Sequence, residues 1–197
     1  EKEGLMDFGK PGNYFQRQVG RWIKQYRAAE TEAYTEIESL IAWLEKNMPE
    51  DDGMISIVHG DYRLYNMIFS HSENKILAVL DWELSTIGHP YADLAYQCMN
   101  WYIPKIGITP GLHGLDLEGS GIPTEKEYVE SYCKKMGIDE IPNWPFYLAF
   151  GFFRLAGIAQ GVYKRSIMGN ASAKNAGELG AAVPILGKIA NQIIQSK

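Results

Sequence analysis

Two short polar runs hold most of the side chains that could do chemistry. The first is His59-Gly60-Asp61-Tyr62-Arg63-Leu64-Tyr65-Asn66, and the second is Asp81-Trp82-Glu83. Singly, neither is distinctive: His-Gly-Asp is common in turns, and an acid placed after a strand commonly caps a helix. Together they say more. A hairpin running from Asn66 to Asp81 returns the chain to its starting end and sets the 59–66 loop beside Asp81. Two carboxylates and a carboxamide then converge. One Asn and one Asp supply the hard oxygen ligands that a hydrated Mg²⁺ accepts from a protein, with waters and phosphates completing its shell. Asp61 is left to orient a hydroxyl group. Phosphoryl transfer needs these parts, because its loose transition state is stabilised by positioning and by cations around the phosphates. A metal-dependent phosphohydrolase built on His-Gly-Asp is a rival, but it calls for several His and Asp ligands. His71, His89 and His113 show no such spacing.

The pattern H-x-D-x-x-x-x-N, followed by strand, turn, strand and D-W-E, resembles the catalytic core of the aminoglycoside phosphotransferase and choline kinase-like family, relatives of the protein kinases. HGDYRLYNMIF (59–69) followed by LAVLDWELSTIGHPYADLA (77–95) is most similar to the branch associated with acyl-CoA dehydrogenases. The similarity is densest from Val58 to Trp101 and extends over nearly the whole chain.

The resemblance implies ATP and Mg²⁺ as cofactors and a small-molecule hydroxyl as phosphoryl acceptor, possible acceptors including a hydroxyacyl-type metabolite. It makes Asp61 the catalytic aspartate and gives Asn66 and Asp81 to Mg²⁺ and the nucleotide phosphates. Arg63 lies where protein kinases carry a lysine facing the transferred phosphoryl, or else it orients its neighbours through a salt bridge. His59 anchors the loop or takes part in proton transfer. Glu83 contacts the metal or caps the following turn, and Asp93 braces the catalytic loop. Tyr65 departs from an acidic residue common at this position, which bears on substrate recognition rather than on the metal.

The elements that must position these residues read as mostly helical. Phe15, Val19, Trp22, Ile23 and Tyr26 form one stripe of a helix over 13–30, whose other face is Arg17, Arg21, Lys24 and Arg27. That basic face is solvated surface or an anionic site. Thr31 is a candidate N-cap for a second helix, which Pro49 ends. Met54–Val58, Met67–Phe69 and Lys75–Leu80 read as three short buried strands. Further helices are predicted over 91–101, 124–136, 144–165 and 175–195, with Thr124-Glu125-Lys126-Glu127 as a capping box and Gly137 as its C-terminal glycine. The glycine-rich stretch 103–123 matches no phosphate-binding pattern and reads as a connecting loop.

The expected fold class is therefore α+β and mostly α-helical, which the resemblance identifies with the C-terminal lobe of a protein kinase-like phosphotransferase. Residues 1–197 form one unit with a catalytic core over 54–101. No glycine-rich loop and no strand lysine precede His59, and Asp7-Phe8-Gly9 comes too early to be the kinase D-F-G. The N-terminal lobe of the same parent chain is thus an expected partner, and the fragment alone is expected to be inactive. A pseudoenzyme or binding module keeping only the lobe is the alternative.

Composition narrows the rest. The chain has 197 residues, 46% of them hydrophobic, enough for one sizeable core. Its 19 basic and 24 acidic residues leave a net charge of −5 without long charged blocks, which argues against nucleic acid as a partner. Trp144–Tyr163 is apolar, but Pro145, Arg154 and three glycines interrupt it, so a buried helix is expected and no membrane partner. Cys98 and Cys133 fit neither a zinc site nor a disulfide framework, consistent with a reducing, cytoplasmic compartment. The opening Glu1-Lys2-Glu3-Gly4 has neither an initiator methionine nor a leader, as expected for part of a longer chain.

Overall fold

The apolar stripes dictate a helical body. The computed structural model describes residues 8–104, 111–170 and 176–196. The sequence-based expectations at Asp7, Gly107 and Asn175 lie outside them. Helix α1 spans Tyr14–Ala29 and buries Phe15, Val19 and Tyr26. Asn13 turns the chain into it with a left-handed backbone, and the Asn13 N–H donates to Asp51 Oδ2 at 2.7 Å.

Helix α2, Thr35–Lys46, buries Ile37, Leu40, Ile41 and Leu44. It starts four residues after Thr31, the expected N-cap. The Thr31 hydroxyl instead accepts from Gln160 Nε2 at 2.9 Å, so it joins the α1–α2 turn to a helix far along the chain.

Four α-helices follow the β region among the described residues. Helix α3 is Tyr91–Cys98, continued by a 3₁₀ turn over Met99–Trp101. Helix α4 is Glu125–Met136, with the Thr124/Glu127 capping box formed and Gly137 left-handed at its end. Helix α5, Trp144–Ile167, packs on α1, α2, α3 and on helix α6, Leu179–Gln195. Surrounded in this way, α5 buries residues on every side: Phe146, Leu148, Phe150, Phe152 and Phe153 are all at most 3% exposed. Each such side chain contributes about 1.5–3 kcal/mol of transfer free energy. Gly187 lets α2 and α6 close, since a Cβ there would stand 2.8 Å from Ile37 Cδ1. No helix among the described residues is long and apolar enough to cross a membrane.

The β region differs from expectation in two respects. First, there are four strands rather than three: β1 (Ser56–Val58), β2 (Met67–Phe69), β3 (Ile76–Val79) and β4 (Thr86–Gly88). They form two antiparallel ribbons, β1 with β4 and β2 with β3. Strand β4 is three residues long, too short to show an alternating pattern.

Second, the strands are not buried. Ile57, Ile68, Phe69, Ile76, Leu77 and Leu80 stay 44–59% exposed, and only Val58, 1% exposed, enters the core. A two-stranded ribbon has too little width to bury its own side chains. No described helix packs extensively on either one.

Candidate active site

The candidate catalytic loop starts where β1 ends. Gly60 has φ 84°, and a Cβ on it would lie 2.7 Å from the Leu84 carbonyl oxygen, so both conformation and space require glycine. Asp93, on α3, holds the turn from beneath. Its Oδ2 accepts the His59 N–H at 2.6 Å and its Oδ1 accepts the Gly60 N–H at 2.9 Å. Burial pushes the Asp93 carboxyl above the usual range, while these two donors, His59 and Arg154 pull it back.

His59 is 2% exposed. Its Nδ1 accepts the Asp61 N–H at 3.2 Å, so the Nε2 hydrogen is free to donate to the Leu80 carbonyl, 2.8 Å away. The ring also lies 4.7 Å from that of Trp82. In this way the imidazole joins the start of the loop to the end of β3.

Asp61, Asn66 and Arg63 form a hydrogen-bonded set. Asn66 Nδ2 donates to both Asp61 Oδ2 and the Asp61 carbonyl, each at 2.9 Å. Arg63 pairs with Asp61 Oδ2 at 3.0 Å. The Asn66 amide nitrogen is thereby committed, and its Oδ1 remains as the acceptor. Asn66 closes the 3₁₀ turn Leu64–Asn66, and its carbonyl accepts the Leu80 N–H at 2.8 Å. That bond extends the β2–β3 ribbon by one pair, Asn66 with Leu80, and Asp81 follows directly after it.

Asp81 has φ 66°, a left-handed conformation uncommon outside glycine. This turns the chain from β3 into the 3₁₀ turn Trp82–Leu84, where Trp82 Nε1 donates to the Val79 carbonyl at 2.8 Å. The Asp81 and Glu83 carboxylates are exposed, and neither hydrogen-bonds among the described residues. Neither joins the hydrogen-bonded set of Asp61, Arg63 and Asn66.

Among the described residues, no three His, Cys, Asp or Glu side chains cluster to hold a metal. The oxygens available here, among the described residues, are the Asn66 carboxamide and the Asp81 and Glu83 carboxylates. That hard, sparse donor set suits an ion that keeps waters and takes phosphate oxygens, as Mg²⁺ does, and not one that needs a closed protein cage.

Two residues near this loop were not among the sequence candidates. Arg154, in mid-α5, donates through Nη2 to the Gly60 carbonyl. Tyr96, on α3, has its hydroxyl pKa raised by burial and then by the neighbouring Asp61 carboxylate. The only sequence signal was a single arginine inside an apolar helix, a charge that must find a partner once buried.

The basic face of α1 is partly consumed by structure. Arg17 donates to the Gly12 and Lys10 carbonyls, and Arg27 pairs with Glu38 and Glu30. An open cleft of about 610 Å³ remains along Arg17, Arg21 and Lys24, and a second of about 340 Å³ lies between Phe15, Pro49, His89 and Tyr147. Neither contains the 59–66 loop.

Comparison with known proteins bears on the family and the fold. The sequence profile of the phosphotransferase enzyme family matches residues 1–114. The crystal structure of an aminoglycoside phosphotransferase candidate from Ralstonia eutropha JMP134 superposes with a TM-score of 0.91 at 47% identity, over 98% of this chain and 58% of that one. Acyl-CoA dehydrogenase family member 10 of Mus musculus is 49% identical over 187 residues, 94% of this chain and 17% of the relative. Acyl-CoA dehydrogenase family member 11 of Homo sapiens is 44% identical over 173 residues, 87% of this chain and 22% of the relative. The chain thus spans about a fifth of these two relatives. Its mostly helical α+β fold resembles the C-terminal lobe of a protein kinase-like phosphotransferase. From its sequence profile and its fold, the chain belongs to the phosphotransferase enzyme family.

Proposed function

We propose that this chain supplies the catalytic half of an ATP-dependent phosphotransferase that moves the γ-phosphate to a hydroxyl group of a small molecule. One observation carries the reading. Asn66 is bound through its nitrogen to Asp61, and the β2–β3 pairing sets Asp81 at the same end of the ribbon. An acid able to orient a hydroxyl thus stands beside two oxygen donors suited to a hydrated divalent cation.

Asp61 accepts or orients the hydroxyl proton, and Arg63 and Asn66 fix its carboxylate. Asn66 Oδ1 and the Asp81 carboxylate would hold Mg²⁺. When bound, the ion supplies positive charge to the phosphate oxygens. Glu83, two residues beyond Asp81, would reach the metal only through water. His59 keeps the loop and the ribbon end in register. The exposed apolar side chains of the ribbons fit a surface on which an N-terminal, ATP-covering lobe of the parent chain packs. The kinship with acyl-CoA dehydrogenase family members favours a hydroxyacyl-type acceptor.

The test is Asp61→Asn in the full-length protein, with ADP release measured against a panel of hydroxyacyl, choline-like and aminoglycoside acceptors. Turnover should fall by about 10²–10⁴-fold with the unfolding midpoint unchanged. An unchanged rate would overturn the assignment.

A further inference from the structure

Both peptide groups of Gly60 are held by side chains that come from the helices. Its N–H donates to Asp93 Oδ1, and its carbonyl accepts from Arg154 Nη2. That carbonyl belongs to the peptide bond leading into Asp61, so whatever fixes it fixes the direction in which Asp61 leaves the turn. The grip comes from 94 residues further along the chain.

The guanidinium is itself held. Its Cζ lies 5.6 Å from the centroid of the Trp22 ring on α1 and 5.3 Å from that of Tyr96 on α3. Stacking between two aromatic faces suits a planar, delocalised cation with several donors, and a lysine ammonium does not reproduce it. Space has been left for the arrangement: a Cβ at Gly157 would stand 3.2 Å from Trp22 Cε3, so glycine there lets the indole settle on α5.

We propose that Arg154 is a positioning residue for Asp61, gripping the Gly60 carbonyl while Trp22 and Tyr96 hold the guanidinium in place. Its kinetic consequence rests on the phosphoryl-transfer reading above; its effect on the loop does not. The experiment therefore has two arms, each on Arg154→Met and Arg154→Lys in the full-length protein. In the first, amide hydrogen exchange is followed by NMR at His59 and Gly60, and both variants should exchange at least about tenfold faster than the parent as the turn loosens. In the second, kcat should fall by about 10–100-fold, the loss expected when a reacting group is displaced by about an ångström, while KM for ATP stays unchanged. Adding guanidinium ion to an Arg154→Ala variant should restore part of the rate.

Unchanged exchange at both amides, or unchanged kcat per folded molecule in an active parent, would overturn the proposal. An inactive parent would sink the phosphoryl-transfer reading alone, and the exchange arm would still decide the role of Arg154.

Discussion

The helical body and the segment from Ser56 to Gly88 are held together in different ways. In the body, long helices bury aromatic side chains completely: Tyr26, Phe152 and Phe153 are all 0% exposed. In the β segment, strands of three or four residues leave most of their apolar side chains in solvent, and the loop is fixed by individual hydrogen bonds. Asp93, Arg154 and the His59 ring supply those bonds, the first two from the body. Stability and chemistry are therefore separated. Burial is cooperative and insensitive to small displacements, whereas a hydrogen-bonded loop keeps its groups in defined directions with few of them buried.

The sharpest way to break this comparison is to truncate the body. Phe153→Ala should destabilise the chain by about 3–5 kcal/mol, seen as a fall in the urea midpoint. A loss under about 1 kcal/mol would show that the core is not where stability resides.

A smaller effect tests whether charge matters to the body. The Arg27–Glu38 pair links α1 to α2, and hydrogen bonding to Arg27 holds the Glu38 carboxyl below its usual range. A depressed folded value means that the pair stabilises above the unfolded glutamate value and loses its contribution as pH falls through the folded one. Both partners are about two-fifths exposed, so solvent screening keeps the effect small. Glu38→Gln should cost about 0.2–1 kcal/mol at neutral pH, and the difference should vanish on titration to strongly acid pH.

The smallest effect belongs to the ribbon. Leu77, 59% exposed, changed to Ser should leave the unfolding free energy of this chain within about 0.5 kcal/mol of the parent. A large loss would place the ribbon within the cooperative core.

The same division governs what the sequence reveals. Helices with one apolar face could be read from periodicity, as with Phe15, Val19, Trp22 and Tyr26, because burial acts on every third or fourth residue. The α4 ends were equally legible, since Thr124, Glu127 and Gly137 satisfy local backbone groups within one turn. Asp61, Asn66 and Asp81 stood out by residue type and spacing, and the β2–β3 hairpin expected between Asn66 and Asp81 is formed. Strand β4 did not stand out, because three residues carry no period. The exposure of the ribbons was also hidden: an apolar run states what a strand could pack against, not whether the packing partner lies in the same stretch of chain. Arg154 and Tyr96 were missed for a further reason. Their contacts with the loop are set by how α3 and α5 cross beneath it, a tertiary fact with no local trace.

The nesting of the strands determines how the site is lost. Strands β2 and β3 pair inside the stretch that β1 and β4 close, so one ribbon sits within another. Forming the inner ribbon first shortens the free loop that the outer pairing must close, and closure entropy rises with the logarithm of that length. His59, Asp61, Asn66 and Asp81 all lie between the outer strands. Parting β1 from β4 therefore loosens the tether of all four at once and leaves Asp93 and Arg154 as the contacts that still tie the loop to the helical body.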